Sequence, residues 1–217
     1  AFLVVASGSS GPLISFLSVL VGLFLWNFRA YMSPIRRGIF ITLVTLHIVM
    51  KAPVWFLIAK VSGFFGGGTG YHRSVLIDRA IRYFHEWWLV GTNYNKHWMP
   101  YAYNPVGTPN MIDCTCQYVS EGINGGIIKL VLFISIITLC FREIGRAIQG
   151  FEDQTIISHL TFWAIGVSLL SHVISYISVV YFDQMIVFWY LLIAMISSIK
   201  TQTIILANQE TVDNSLN

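Results

Sequence analysis

Charge is scarce in this chain of 217 residues: Asp, Glu, Lys and Arg make up 11% of it, against 55% hydrophobic residues. Soluble domains carry about 25% charged residues, so the composition argues against a water-facing globular domain and makes lipid the expected solvent. Cysteine is scarce too. The three present, Cys114, Cys116 and Cys140, are odd in number and do not form a disulfide framework. Cys114 and Cys116 stand one residue apart, too close for an easy mutual bridge, and lack the His or Cys companions of a zinc site. Cys140 lies inside an apolar run, where a small buried thiol is the default. The net charge of +3 comes without a dense basic patch interleaved with exposed aromatics, which leaves a nucleic-acid partner unsupported. No positively charged flank followed by a cleavage site marks a signal peptide. The chain opens on Ala1-Phe-Leu-Val-Val-Ala rather than on Met, and the expectation is that an N-terminal portion precedes it.

What is present is a series of apolar runs, each approaching the ~20 residues that cross a bilayer as a helix. The expected class is all-α: a polytopic integral membrane protein with about five transmembrane helices and an outer amphipathic helix. The runs are Pro12–Phe28, Gly38–Val61, Asn124–Phe141, Thr155–Phe182 and Met185–Ser198. They divide the chain into N-terminal transmembrane helices (1–61), an outer segment (62–123), three C-terminal transmembrane helices (124–201) and a cytoplasmic tail (202–217). Short loops rich in Lys and Arg stay cytoplasmic. Arg29, Arg36 and Arg37 therefore place the first loop inside, and alternation puts Ser62 to Ile123 outside. Arg142, Arg146 and Lys200 then fall inside as well.

The outer segment divides in two. After a glycine-rich hinge at Gly66 to Gly70, residues 71–90 place Leu76, Ile77, Ala80, Ile81, Phe84, Trp87 and Trp88 at the spacing of an amphipathic helix. Its other face carries Asp78, Arg79, Arg82, His85 and Glu86. From Gly91 to Asn110 no period emerges, and the stretch reads as an ordered loop.

Arg73, Arg79 and Arg82 form a basic face near the level of lipid headgroups, where guanidinium forks bind phosphate oxygens at two points. The plainer reading is that Arg82 pairs with Glu86, and Arg79 with Glu86 or headgroups. His72, His85, Glu86, His97, Asp113 and Glu121 supply possible general bases. Asp113 and Glu121 are preferred, because they flank the approach to the third span, where Gly122, Gly125 and Gly126 allow close backbone contact. No metal-ligand spacing occurs. Lys51 falls inside the second expected span, with His47 one turn earlier. An intramembrane charge costs about 3 kcal/mol or more, so the pair lines a polar cavity unless Lys51 snorkels to the interface. His159, His172, Ser168, Ser171, Ser175 and Ser178 make a polar stripe that reads as helix packing.

The order of these features resembles the O-antigen ligase and polymerase superfamily. The resemblance rests on Ala6-Ser-Gly-Ser-Ser-Gly-Pro before a span, Thr69-Gly-Tyr-His-Arg73, the helix ending Trp-Trp-Leu-Val-Gly91-Thr, and Asp113-Cys-Thr-Cys-Gln-Tyr-Val-Ser-Glu-Gly-Ile-Asn-Gly-Gly126-Ile. It implies the C-terminal half of a metal-independent, cofactor-free glycosyltransferase of the bacterial inner membrane. Such a protein joins or polymerises polyprenyl-diphosphate-linked glycan at the periplasmic face, in contact with membrane lipid. It further implies that Arg73 contacts the diphosphate. One departure stands out: Thr115 and Cys116 occupy the place of a His-Asn pair whose His is taken to help activate the acceptor. Either Asp113 or Glu121 then serves as base, or the chain is a non-catalytic accessory subunit among other membrane subunits.

Overall fold

The computed structural model describes residues 10–64, 69–100, 109–150 and 156–199, and among them the chain is helical with no strand. The helices are α1 (Ser10–Phe24), α2 (Met32–Val49), α3 (Leu57–Phe64), α4 (Thr69–Arg82), α5 (Phe84–Trp87), α6 (Gln117–Gly150), α7 (Ile156–Ser175) and α8 (Gln184–Ile199). Two helical stretches, Ser10–Val49 and Gln117–Gln149, are long and apolar enough to cross a bilayer. Val54–Phe64, His159–Ser175 and Gln184–Ile199 are shorter apolar helices.

The first of these stretches is bent. Leu25–Tyr31 is a tight 3-10 segment in which Phe28 leaves helical geometry (φ −109°, ψ 16°). A straight helix of its 40 residues would run about 60 Å. Yet Ser62 Oγ lies 2.8 Å from Ser10 Oγ, and the partly helical linker from Met50 to Ser62 reaches at most about 30 Å. α2 must therefore turn back towards the start of α1. No side chain of α2 is buried.

The second expected span, Gly38–Val61, is interrupted. The helix ends at Val49, Met50 is extended (ψ 142°) and Pro53 follows at φ −52°, ψ 149°. The cause is Pro53, which has no N–H to continue a helix and drives the residue before it out of helical geometry. The amphipathic helix expected over 71–90 is likewise two pieces, α4 and α5, separated at Tyr83 (φ −95°, ψ 26°). Trp87 Nε1 donates to the Ala80 carbonyl at 2.8 Å, so the indole is held back against the end of α4. This buries Leu76, Ala80 and Trp87 and leaves Ile81, Phe84 and Trp88 exposed.

α6 starts at Gln117, before the expected third span, and is divided at Gly125 and Gly126. Arg142 and Arg146 lie on its helical continuation rather than in a loop. Gly126 has φ +71° and Gly91 φ +88°, the left-handed region that glycine adopts without strain. The Ile127 N–H donates to the Trp88 carbonyl and the Thr92 N–H to the Ile123 carbonyl, each at 2.8 Å. The two glycine turns thus lock together.

Two cores result. Leu76, Ala80, Trp87, Trp98, Ile112, Cys116 and Ile123 form one of them. Ile137, Ile144, Leu169, Tyr176, Trp189 and Leu192 belong to the helix bundle, and Tyr118 packs against both. α1 and α7 meet along small residues: Ser15 and Ser175 hydroxyls are 2.7 Å apart, and Trp163 Nε1 donates to the Gly22 carbonyl at 2.9 Å. Of the hinge expected at Gly66 to Gly70, Thr69 and Gly70 begin α4; Gly66 to Gly68, the loop residues 101–108 and the tail 202–217 lie outside the described residues.

Candidate anion site at Arg73

Arg73 projects from α4 into the protein and is 8% exposed. Among the described residues no carboxylate pairs with it, and its Nε has no hydrogen-bond partner. A buried cation is normally paired, because its desolvation is otherwise uncompensated. Burial lowers the guanidinium from its ordinary value, while the nearby Cys116 thiol works the other way.

Three other segments reach the same place. A Cβ on Gly11, in the first turn of α1, would stand 3.8 Å from Arg73 Nη2 and 3.1 Å from Ser178 Oγ. Ser178 belongs to the turn that follows α7. Cys116, immediately before α6, is 1% exposed. The start of α6 is tied to the turn after α7: the Gln117 N–H donates to the Tyr176 carbonyl, and the Tyr181 N–H to Gln117 Oε1, both at 2.8 Å. Tyr118 Oη donates to the Val173 carbonyl at 3.0 Å. The result is a buried guanidinium beside two helix starts, whose N–H groups also favour negative charge.

The thiols are poor nucleophiles. Burial pushes the Cys116 thiol up against its backbone hydrogen bonds and the Arg73 charge. Burial pushes Cys114 up to about 12 despite a hydrogen bond from Asn95. Only the thiolate attacks, so both are inert near neutral pH.

The expected three-arginine face does not form. At 100° per residue, Arg82 lies about 180° and Arg79 about 240° around the helix from Arg73. Arg82 pairs instead with Asp78 (Nε to Oδ2 2.8 Å), with its side chain 65% exposed. Arg79 is half-buried, and its Nε lacks a partner. Neither arginine pairs with Glu86. Asp113 is exposed. Glu121 is engaged by Gln117 Nε2 at 2.6 Å and by Lys129 Nζ at 3.0 Å. The helix stops at Val49, before Lys51, and the Lys51 and His47 side chains are both exposed. His47 Nδ1 accepts the Val54 N–H at 3.3 Å, supporting the break. Among the described residues no group of three or more His, Cys, Asp or Glu converges to hold a metal.

A second polar cluster was hidden in the aperiodic loop. Glu86 Oε2 accepts Trp98 Nε1 at 2.9 Å, and Oε1 lies 3.0 Å from His97 Nε2. Burial pushes this carboxyl up, but the bonds from Trp98 and His97 outweigh it and hold it below the usual carboxylate range. Tyr83 stacks on Trp98 with centroids 5.7 Å apart. Asn95 is fully buried, accepts the Ile112 N–H at 2.8 Å and pins the loop to the Cys114 strand of chain. Glu86 and His97 stood among the possible bases in the sequence, but no spacing joined them to Trp98 and Asn95.

Comparison of the chain with models of known families, with curated proteins and with solved structures finds no match.

Proposed function

We propose that this chain is a multi-pass protein of the bacterial inner membrane, a glycosyltransferase-like protein that joins or polymerises polyprenyl-diphosphate-linked glycan at the periplasmic face. Its five spans are α1, α2, the Ile127–Gly150 part of α6, α7 and α8. The stretch from α3 to Asn124 lies on the outer side. The observation that carries the reading is Arg73: a buried cation without a carboxylate partner among the described residues, beside the first turn of α1, is suited to an anionic ligand.

In this reading Arg73 contacts the diphosphate and stabilises the negative charge that grows on it as the glycosidic bond breaks. The role of base falls to exposed Asp113, since Glu121 is held by Lys129 and Gln117. Replacing Arg73 by Ala abolishes glycan transfer in cells while membrane levels of the protein stay normal. Unchanged glycan in that variant rejects the proposal.

A second reading, a non-catalytic subunit of a larger membrane complex, draws on two observations. A buried Cys116 stands where the resembled family has its His-Asn pair, and Glu121 is neutralised. Purification in mild detergent separates the two: partners at fixed stoichiometry favour the subunit, and an active monomer favours the enzyme.

A further inference from the structure

The far end of the bundle from Arg73 carries a different charge pattern. Arg29, Arg36 and Arg37 are all exposed where α1 gives way to α2, and Arg142 is exposed on α6. None of the four has a carboxylate partner among the described residues; Glu143 is taken by Arg146 at 2.6 Å. Aromatic rings frame this patch. The Arg29 guanidinium sits 4.6 Å over the Trp26 ring, and Trp26 meets Trp163 edge-on at 5.7 Å. Phe24 and Phe28, in contact at 5.6 Å, remain 63% and 43% exposed. α6 and α7 are in register here, since a Cβ on Gly166 would stand 3.4 Å from Ile144.

We propose that this end is a binding surface for anionic phospholipid, with Arg29, Arg36 and Arg37 holding the headgroup phosphate and the Phe24, Trp26 and Phe28 rings lying against the acyl boundary. Unpaired guanidinium forks match phosphate oxygens, and a basic cluster at the end of a span attracts acidic lipid. The exposed rings decide between a lipid and a free anion. A lipid sets its headgroup on the guanidinium groups and its acyl chains on Phe24 and Phe28, whereas a free phosphate engages the guanidinium groups alone. The proposal rests on the membrane reading above, and membrane fractionation tests that reading separately.

The full chain, purified in mild detergent and mixed with equal amounts of phosphatidylglycerol and phosphatidylcholine, is examined by native mass spectrometry. The wild type retains phosphatidylglycerol about tenfold over phosphatidylcholine, and the preference falls as salt rises. The triple variant Arg29→Gln, Arg36→Gln, Arg37→Gln moves to near parity, while Arg82→Gln, on the outer helix, keeps the preference. Equal retention of the two lipids by the wild type overturns the proposal, as does an unchanged preference in the triple variant. Displacement of phosphatidylglycerol by millimolar inorganic phosphate assigns the site to a free anion and overturns it too. If the triple variant does not fold, the salt titration of the wild type decides: a salt-independent preference is contrary to a guanidinium-phosphate site.

Discussion

The Gly91 Cα lies so close to Ile123 that a Cβ there would stand 2.1 Å from the Ile123 carbonyl oxygen. This contact joins the end of the α4–α5 arm to the start of α6, and so fixes the distance between the two parts of the outer segment. Gly91→Ala meets both the backbone clash and the left-handed φ of +88°. A loss of about 2 kcal/mol or more is expected, read as faster proteolysis of residues 69–123 with the long apolar helices intact. Gly145→Ala, where nothing lies within 4 Å, serves as the neutral control.

The raised thiols give a pH signature. Cys114, at about 12, is protonated at neutral pH, so alkylation by iodoacetamide is slow there and accelerates as pH rises towards that value. Rapid labelling at pH 7 in the folded protein is the contrary result.

Glu86 works in the opposite sense. Its folded value lies below the ordinary 4.5, so its ionised form is favoured by folding. The stabilisation is present above the ordinary value and is lost as pH falls through the depressed one. Proteolysis of the Thr92 to Met99 stretch should therefore increase on acidification below about pH 4. Glu86→Gln removes this dependence; a variant that keeps it assigns the effect to other groups.

The helical class and the positions of the apolar stretches were legible in the sequence, because run length and sparse charge report directly on them. The break after Val49 was half legible: Pro53 was visible, but whether a helix kinks or ends there depends on what surrounds it. The break at Tyr83 was not, since it follows from the Trp87 indole returning to Ala80. Arg82 had carboxylates four residues away on both sides, Asp78 and Glu86, and local spacing alone does not choose between them. The choice is made by Trp98 and His97, which occupy Glu86. The approach of Arg73 to Gly11 and Ser178 is tertiary and leaves no trace in spacing. The mismatch of Arg79 and Arg82 with the Arg73 face, by contrast, follows from helical rotation alone.

The proposed role of buried Arg73, which has no carboxylate partner among the described residues, is to support glycan transfer by holding an anion. The most direct measurement compares glycan transfer in cells carrying Arg73→Ala, Arg73→Lys and Arg82→Ala at equal membrane protein levels. The account predicts abolished transfer for Arg73→Ala, a reduced rate for Arg73→Lys because an ammonium lacks the two-point fork, and near-normal transfer for Arg82→Ala. Wild-type transfer in Arg73→Ala contradicts it.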